Sequence, residues 1–165
     1  MAFRLVSSGG LDIGSPATVN MRASGVVRPG MVVEFSRTGG VGVAPGTSSS
    51  TTTNVFGVCL DYAQGASDVL VRVVPFAVGQ IWEADCANSA STAQIGLRHA
   101  LSALAANEGV ILHNTATDLG AGNAFTAVFK AIALSSGTTG SGKLLGVFRQ
   151  QEAPVFSSST AGGHT

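Results

Sequence analysis

The chain has 165 residues, 45% hydrophobic and only 11% charged, and its nine basic and nine acidic side chains give a formal net charge of zero. That length suits one compact domain with one sizeable core, and a charged fraction below half the usual ~25% leaves Ser, Thr, Gly and Ala to cover the surface. The balance excludes the cationic face that nucleic-acid binding needs, and no apolar run approaches the ~18 residues of a membrane-spanning helix.

So weakly charged a surface is poorly protected against association, which points to a chain that lives in an assembly. In chain order, residues 1–25 read as an N-terminal arm. Its start, Met1-Ala2-Phe3-Arg4-Leu5-Val6-Ser7, lacks the long apolar core of a signal peptide, so use without secretion is expected. Val26-Val27-Arg28-Pro29-Gly30 reads as a strand end and turn, and Met31-Val32-Val33-Glu34-Phe35 as a strand. Gly39 to Gly46 is a glycine-rich bend with room for one short strand, and the Ser/Thr run at 47–53 is expected to be an exposed loop.

Asn54 to Ala63 and Asp68 to Phe76 are β-type runs, the second ending at Pro75, which cannot donate to a ladder. Ala77-Val78-Gly79 turns the chain into Gln80 to Cys86. There Ile81, Glu83 and Asp85 alternate with Trp82, Ala84 and Cys86, which predicts a charged, solvated face and an apolar one. Residues 91–106 admit two readings. Strand, turn and strand, leading into Val110 to His113, is favoured over a helix at 97–106, because Gly96 interrupts the helical spacing. Phe125 to Leu134 and Leu144 to Phe148 read as the last strands, and Ser157 to Thr165 carries no core-forming residue. The pattern is that of an all-β chain: a single small barrel or sandwich over 26–150, with an N-terminal arm and a tail at 151–165.

Several motifs invite chemistry and lack parts of it. Gly137 to Lys143 fits G-x-x-x-x-G-K, but the next residue is Leu144 where a P-loop places the magnesium-binding Ser or Thr, and a strand-like run follows. A flexible hairpin loop is the better reading. Cys59 and Cys86 read as two small buried hydrophobes, reduced, rather than a disulfide or reactive thiols. His99, His113 and His164 lie far apart, no Gly-x-Ser-x-Gly elbow occurs, and Glu83 with Asp85 falls short of a calcium set. No catalytic, cofactor-binding or metal residue is assigned, and neither an enzyme nor a small-molecule substrate is expected. Arg28 and Arg72 suit inter-strand or inter-subunit pairs as well as a ligand. Trp82, the single tryptophan, suits either the core or an interface anchor.

The stretch Val69-Leu70-Val71-Arg72-Val73-Val74-Pro75, followed by Gly79-Gln80-Ile81-Trp82-Glu83-Ala84, resembles head decoration (cement) proteins of tailed phages. Ile95-Gly96-Leu97-Arg98-His99-Ala100-Leu101, the turn to Gly109 and the closing Phe125 to Phe148 are similar in order and spacing, so the resemblance covers roughly 55–150. It implies a β-barrel or β-tulip domain, often trimeric, made in the host cytoplasm and seated on the outside of an icosahedral shell near local three-fold axes. The partner it implies is the major capsid protein. In that reading Phe3, Leu5, Val155 and Phe156, isolated apolar residues in polar arms, anchor the protein to its neighbours together with Trp82. A tail, fibre or baseplate component shares the composition. A carbohydrate-binding barrel, with Trp82 beside Glu83 or Asp85 as a sugar platform, is the reading from another class.

Overall fold

β-branched and aromatic residues punctuated by Gly and Pro favour extended pairing over helix. The computed structural model describes residues 3–7, 17–36, 42–47, 49–64, 69–103, 110–113, 127–135 and 142–148, with 103 and 110–113 as backbone. Their strands are β1 (Phe3–Ser7), β2 (Val19–Arg22), β3 (Val26–Val27), β4 (Val32–Ser36), β5 (Gly42–Pro45), β6 (Val55–Cys59) and β7 (Ala63–Gln64). They continue with β8 (Leu70–Pro75), β9 (Ile81–Asp85), β10 (Arg98–Ala103), β11 (Val110–His113), β12 (Phe129–Leu134) and β13 (Lys143–Phe148). One 3-10 turn, Thr92–Gln94, precedes β10. The chain is all-β, as its punctuation predicts.

Three antiparallel sheets result. One has six strands in the order β1-β9-β13-β12-β10-β11, one has five in the order β2-β8-β6-β4-β5, and β3 pairs with β7 alone. The period-2 alternation of side chains divides the five-stranded sheet between two cores. Val32, Val58 and Val74 point to a core shared with Phe3, Trp82, Leu101, Phe129, Leu144 and Phe148 of the six-stranded sheet. Their sequence neighbours Val33, Cys59 and Val73 enter a second core of small side chains, completed by Val27 of β3 and Ala63 of β7. A β-bulge where Val33–Gly57 gives way to Glu34–Val55 keeps both Val55 and Val58 on the shared side.

The expected barrel is not closed. The outer strands of the five-stranded sheet meet at one parallel bridge, Ala23–Val43, where the Ser24 N–H donates to the Val43 carbonyl at 2.7 Å. Gly42 permits the approach, because a Cβ there would lie 2.7 Å from the Arg22 carbonyl oxygen. Among the described residues no ladder extends the bridge: Pro45, ending β5, has no N–H to donate. Among the described residues the two larger sheets stack on a common core, the sandwich form of the expectation.

The boundary at residue 26 also needs correction. In its described part the arm is strand. β1 is an edge of the six-stranded sheet, paired with β9, and β2 an edge of the five-stranded one, paired with β8. The Phe3 N–H donates to the Gly30 carbonyl at 2.9 Å, tying the start of the chain to the turn before β4. Alternating Phe3 and Leu5 against solvated Arg4 and Val6 gives this short strand an apolar face, and burying a phenylalanine is worth about 1.5–3 kcal/mol. The choice of strand over helix at 97–106 holds where the structure describes it, in β10. The tail at 151–165 lies outside the described residues.

Candidate interaction surface

Phe3 and Trp82 are brought together, but inside the protein. Each is 1% exposed, and both rings contact Phe148, Phe3 at 5.5 Å and Trp82 at 6.1 Å between centroids. The Trp82 indole N–H donates to Gln80 Oε1 at 3.2 Å, so its polar edge is satisfied without solvent or a partner. These two residues are therefore core, not anchors for neighbouring chains: an apolar face on a strand was available to the protein's own second sheet. Leu5 packs partly against the same core. Val155 and Phe156 lie outside the described residues. With its ring enclosed, Trp82 offers no platform to a sugar, which removes the residue on which the carbohydrate reading stood.

Glu83 corrects the expectation of a solvated charged face. It is 8% exposed, and its Oε1 receives Arg4 at 3.2 Å and Lys143 at 3.3 Å, while the Ser135 hydroxyl donates to Oε2. Ser135, then Arg4 and Lys143, hold its carboxyl below the usual glutamate range, although burial acts the other way. Lys143 also reaches Asp85 at 3.3 Å. Register explains the cluster, since Arg4 pairs with Glu83 across β1–β9 and Lys143 with Asp85 across β13–β9. It staples three strands together, with both Glu83 oxygens taken up by cations and a hydroxyl.

The lysine of the P-loop-like run is thus the first residue of a strand, with its ammonium turned to carboxylates. Of that run, residues 137–141 lie outside the described residues. Cys59 sits in the small-residue core, its thiol donating to the Asp61 carbonyl at 3.1 Å, whereas Cys86 packs at the margin of the shared core. Both thiols are free. His99 is fully buried, with Nε2 3.4 Å from the Gln94 carbonyl oxygen. Ser50, in the Ser/Thr run expected to be exposed, is instead buried, and its hydroxyl donates to Glu34 at 2.6 Å. Among the described residues no three His, Cys, Asp or Glu side chains gather as a metal group, and no helix is long and apolar enough to cross a membrane.

Exposed side chains gather at the start of β8 and on the segment that follows β6. The face of β8 that Val74 turns to the shared core is uncovered at its start, where Leu70, 62% exposed, and Arg72 lie. Arg72 is held by Asp61 through several hydrogen bonds, the shortest 2.7 Å, and Asp61 also accepts the Arg72 backbone N–H at 2.8 Å. That pairing lowers the Asp61 pKa. Tyr62, 52% exposed, follows Asp61 and lies under the Arg28 guanidinium, 5.7 Å from its carbon to the ring centroid. The strip thus runs Arg28, Tyr62, Asp61, Arg72, Leu70. Sequence reading singled out both arginines for pairing but missed Tyr62 and Leu70. The available signal was that Tyr62 is the only tyrosine, next to an Asp that interrupts an apolar run.

Comparison with protein-family models, curated proteins and solved structures returned no match to this chain.

Proposed function

We propose that the chain is a structural protein of a virus particle, decorating the outside of an icosahedral phage head as a trimer and stabilising it against disassembly. One observation carries the assembly part of this reading. Glu83, Asp85 and Asp61 are taken up in internal ion pairs, while Tyr62 and Leu70, an aromatic and a large aliphatic, stand exposed beside arginines. Side chains set for catalysis present open, mismatched titratable groups, whereas binding surfaces present aromatic and guanidinium groups in the open. The capsid as the partner comes from the resemblance over roughly 55–150, and zero net charge suits an outer position away from packaged DNA. Binding only the assembled shell shifts its equilibrium against disassembly by mass action.

The test is co-sedimentation of the purified protein with empty, expanded shells, alongside sizing of the free protein. Saturable pelleting at a fixed ratio to shell subunits, with shells that withstand higher temperature, is the expected result. Pelleting with isolated tails and not with heads would move the protein to the tail.

A further inference from the structure

The exposed strip has a chemistry of its own, and it is asymmetric in charge. Arg28 and Arg72 border the strip, and Asp61 is its only carboxylate among the described residues. Asp61 is already claimed by Arg72 from both its side chain and its backbone. Among the described residues the Arg28 guanidinium faces no carboxylate; its contact is the Tyr62 ring. Stacking and the Asp61 fork hold Tyr62, Arg28 and Arg72 in place before any partner arrives, which lowers the side-chain entropy lost on binding. Leu70 supplies apolar area at the end of the strip, just where the cover over β8 stops at Val74.

We infer that this strip is the face through which the protein docks, and that its partner surface is an acidic loop of the shell subunit that also carries an apolar side chain. A carboxylate of the loop pairs with Arg28 over the Tyr62 ring, and the apolar side chain covers Leu70. Among the described residues a second copy of this chain is a poorer mate, because Glu83, Asp85 and Asp61 are engaged in the network and the fork and Glu34 takes the Ser50 hydroxyl. This inference rests on the decoration reading, since it names the contact face and the chemistry of that reading's partner.

The experiment uses the full chain and empty shells assembled from the major capsid protein of the phage genome that carries its gene. Tyr62→Ala, Arg28→Glu and Leu70→Ser are compared with wild type, and Val78→Ser, an exposed apolar site in the turn between β8 and β9, is the control. Tyr62, Leu70 and Val78 are exposed, so melting of those free variants stays within ~2 °C of wild type, and that of the variant at Arg28, half-buried over the Tyr62 ring, falls somewhat further. Retention on shells falls at least about tenfold for all three strip variants and not for the control. Wild-type retention weakens as salt rises, and that dependence is reduced in Arg28→Glu. Should Arg28→Glu unfold, Arg28→Gln removes the same charge without introducing a carboxylate beside Asp61. Wild-type binding with unchanged binding by Tyr62→Ala and Arg28→Glu overturns this face and leaves the decoration reading standing. Tighter binding by Arg28→Glu overturns the acidic partner. Failure of the wild-type protein itself to pellet overturns both readings.

Discussion

The Phe76 ring stacks on Phe148 at 3.8 Å between centroids and 19° between planes, joining the end of β8 in one sheet to the end of β13 in the other. Trp82 meets both rings edge-on, at 5.6 Å from Phe76 and 6.1 Å from Phe148. Phe3 and Phe129 close the cluster on the other side of Phe148. The two larger sheets are thus held at one end by aromatic geometry, and the first described strand is part of that clamp.

Truncating Phe148, which is fully buried, is expected to cost about 3–5 kcal/mol in urea unfolding, and half-buried Phe76 less. A double-mutant cycle with Phe76→Ala isolates a coupling of about 0.5–1.5 kcal/mol. Phe3→Ala falls in the same class as Phe148→Ala. A melting temperature of the free protein unchanged by Phe3→Ala would return the N-terminal strand to the role of an arm.

Gly146 lies in β13 beneath the Phe129 ring and against the Lys130 carbonyl, and a Cβ there would collide with both. Since one neighbour is backbone and the other a buried ring, neither gives way cheaply. Gly146→Ala should therefore destabilise by about 1–3 kcal/mol, although alanine is otherwise better suited to a strand than glycine. Equal stability of the two proteins by chemical denaturation would mean that the ring moves aside.

Acid stability follows from Glu83. Its carboxyl is held below the ordinary 4.5, so its contribution is complete above that value and disappears as pH falls through the folded-state value. Asp61, lowered by Arg72 from the ordinary 3.8, has the same sign. Unfolding free energy should be level down to about pH 5 and decline below about pH 4. Glu83→Gln should lose about 1–3 kcal/mol at neutral pH and show a shallower acid limb. Lys143, raised above 10.5 by Asp85 and then Glu83, acts oppositely: its contribution is lost as pH rises through the folded-state value. An acid limb as steep in the variant as in wild type would exclude Glu83 as its source.

Neither thiol should react in the folded protein. Burial raises Cys59 above its ordinary 9.0 and lifts Cys86 to about 12, which leaves about one thiolate in ten thousand at pH 8 for Cys86. Labelling with a chromogenic disulfide at pH 8 is expected to count two thiols after denaturation and none within minutes before it. Unreduced mass spectrometry should show no Cys59–Cys86 bond, because the two side chains belong to different cores. Rapid native labelling of either thiol would contradict the burial argument.

The G-x-x-x-x-G-K run is expected to bind no nucleotide. Lys143 stands 3.3 Å from both Glu83 and Asp85, so recruiting it to a phosphate means breaking two ion pairs. Calorimetric titration with ATP and magnesium should be flat, and Lys143→Ala should lower stability without altering that trace. Micromolar binding abolished by Lys143→Ala reopens the enzyme class.

By itself, the sequence determined the all-β class, the strands from β3 onward except β7, and the lack of a complete nucleotide motif, because these depend on local properties. Period-2 alternation, turn residues at Pro29-Gly30 and Val78-Gly79, and the Leu144 that follows Lys143 act within a few residues of themselves. Which partner an apolar or charged face meets is a different kind of fact. Phe3 and Trp82 carry the same signature as interface anchors as they do as core residues, and only the pairing of β1 with β9 put them inside. Glu83 looked solvated because its alternation with Trp82 was correct, yet Arg4 and Lys143 arrive from opposite flanks of β9, one near the start of the chain and the other near residue 143. The open edge of the five-stranded sheet, the enclosure of Ser50 and the stacking of Arg28 on Tyr62 likewise join residues distant in sequence. Register and sheet stacking decide such contacts, because burial depends on what lies across a sheet and not on what lies beside a residue in the chain.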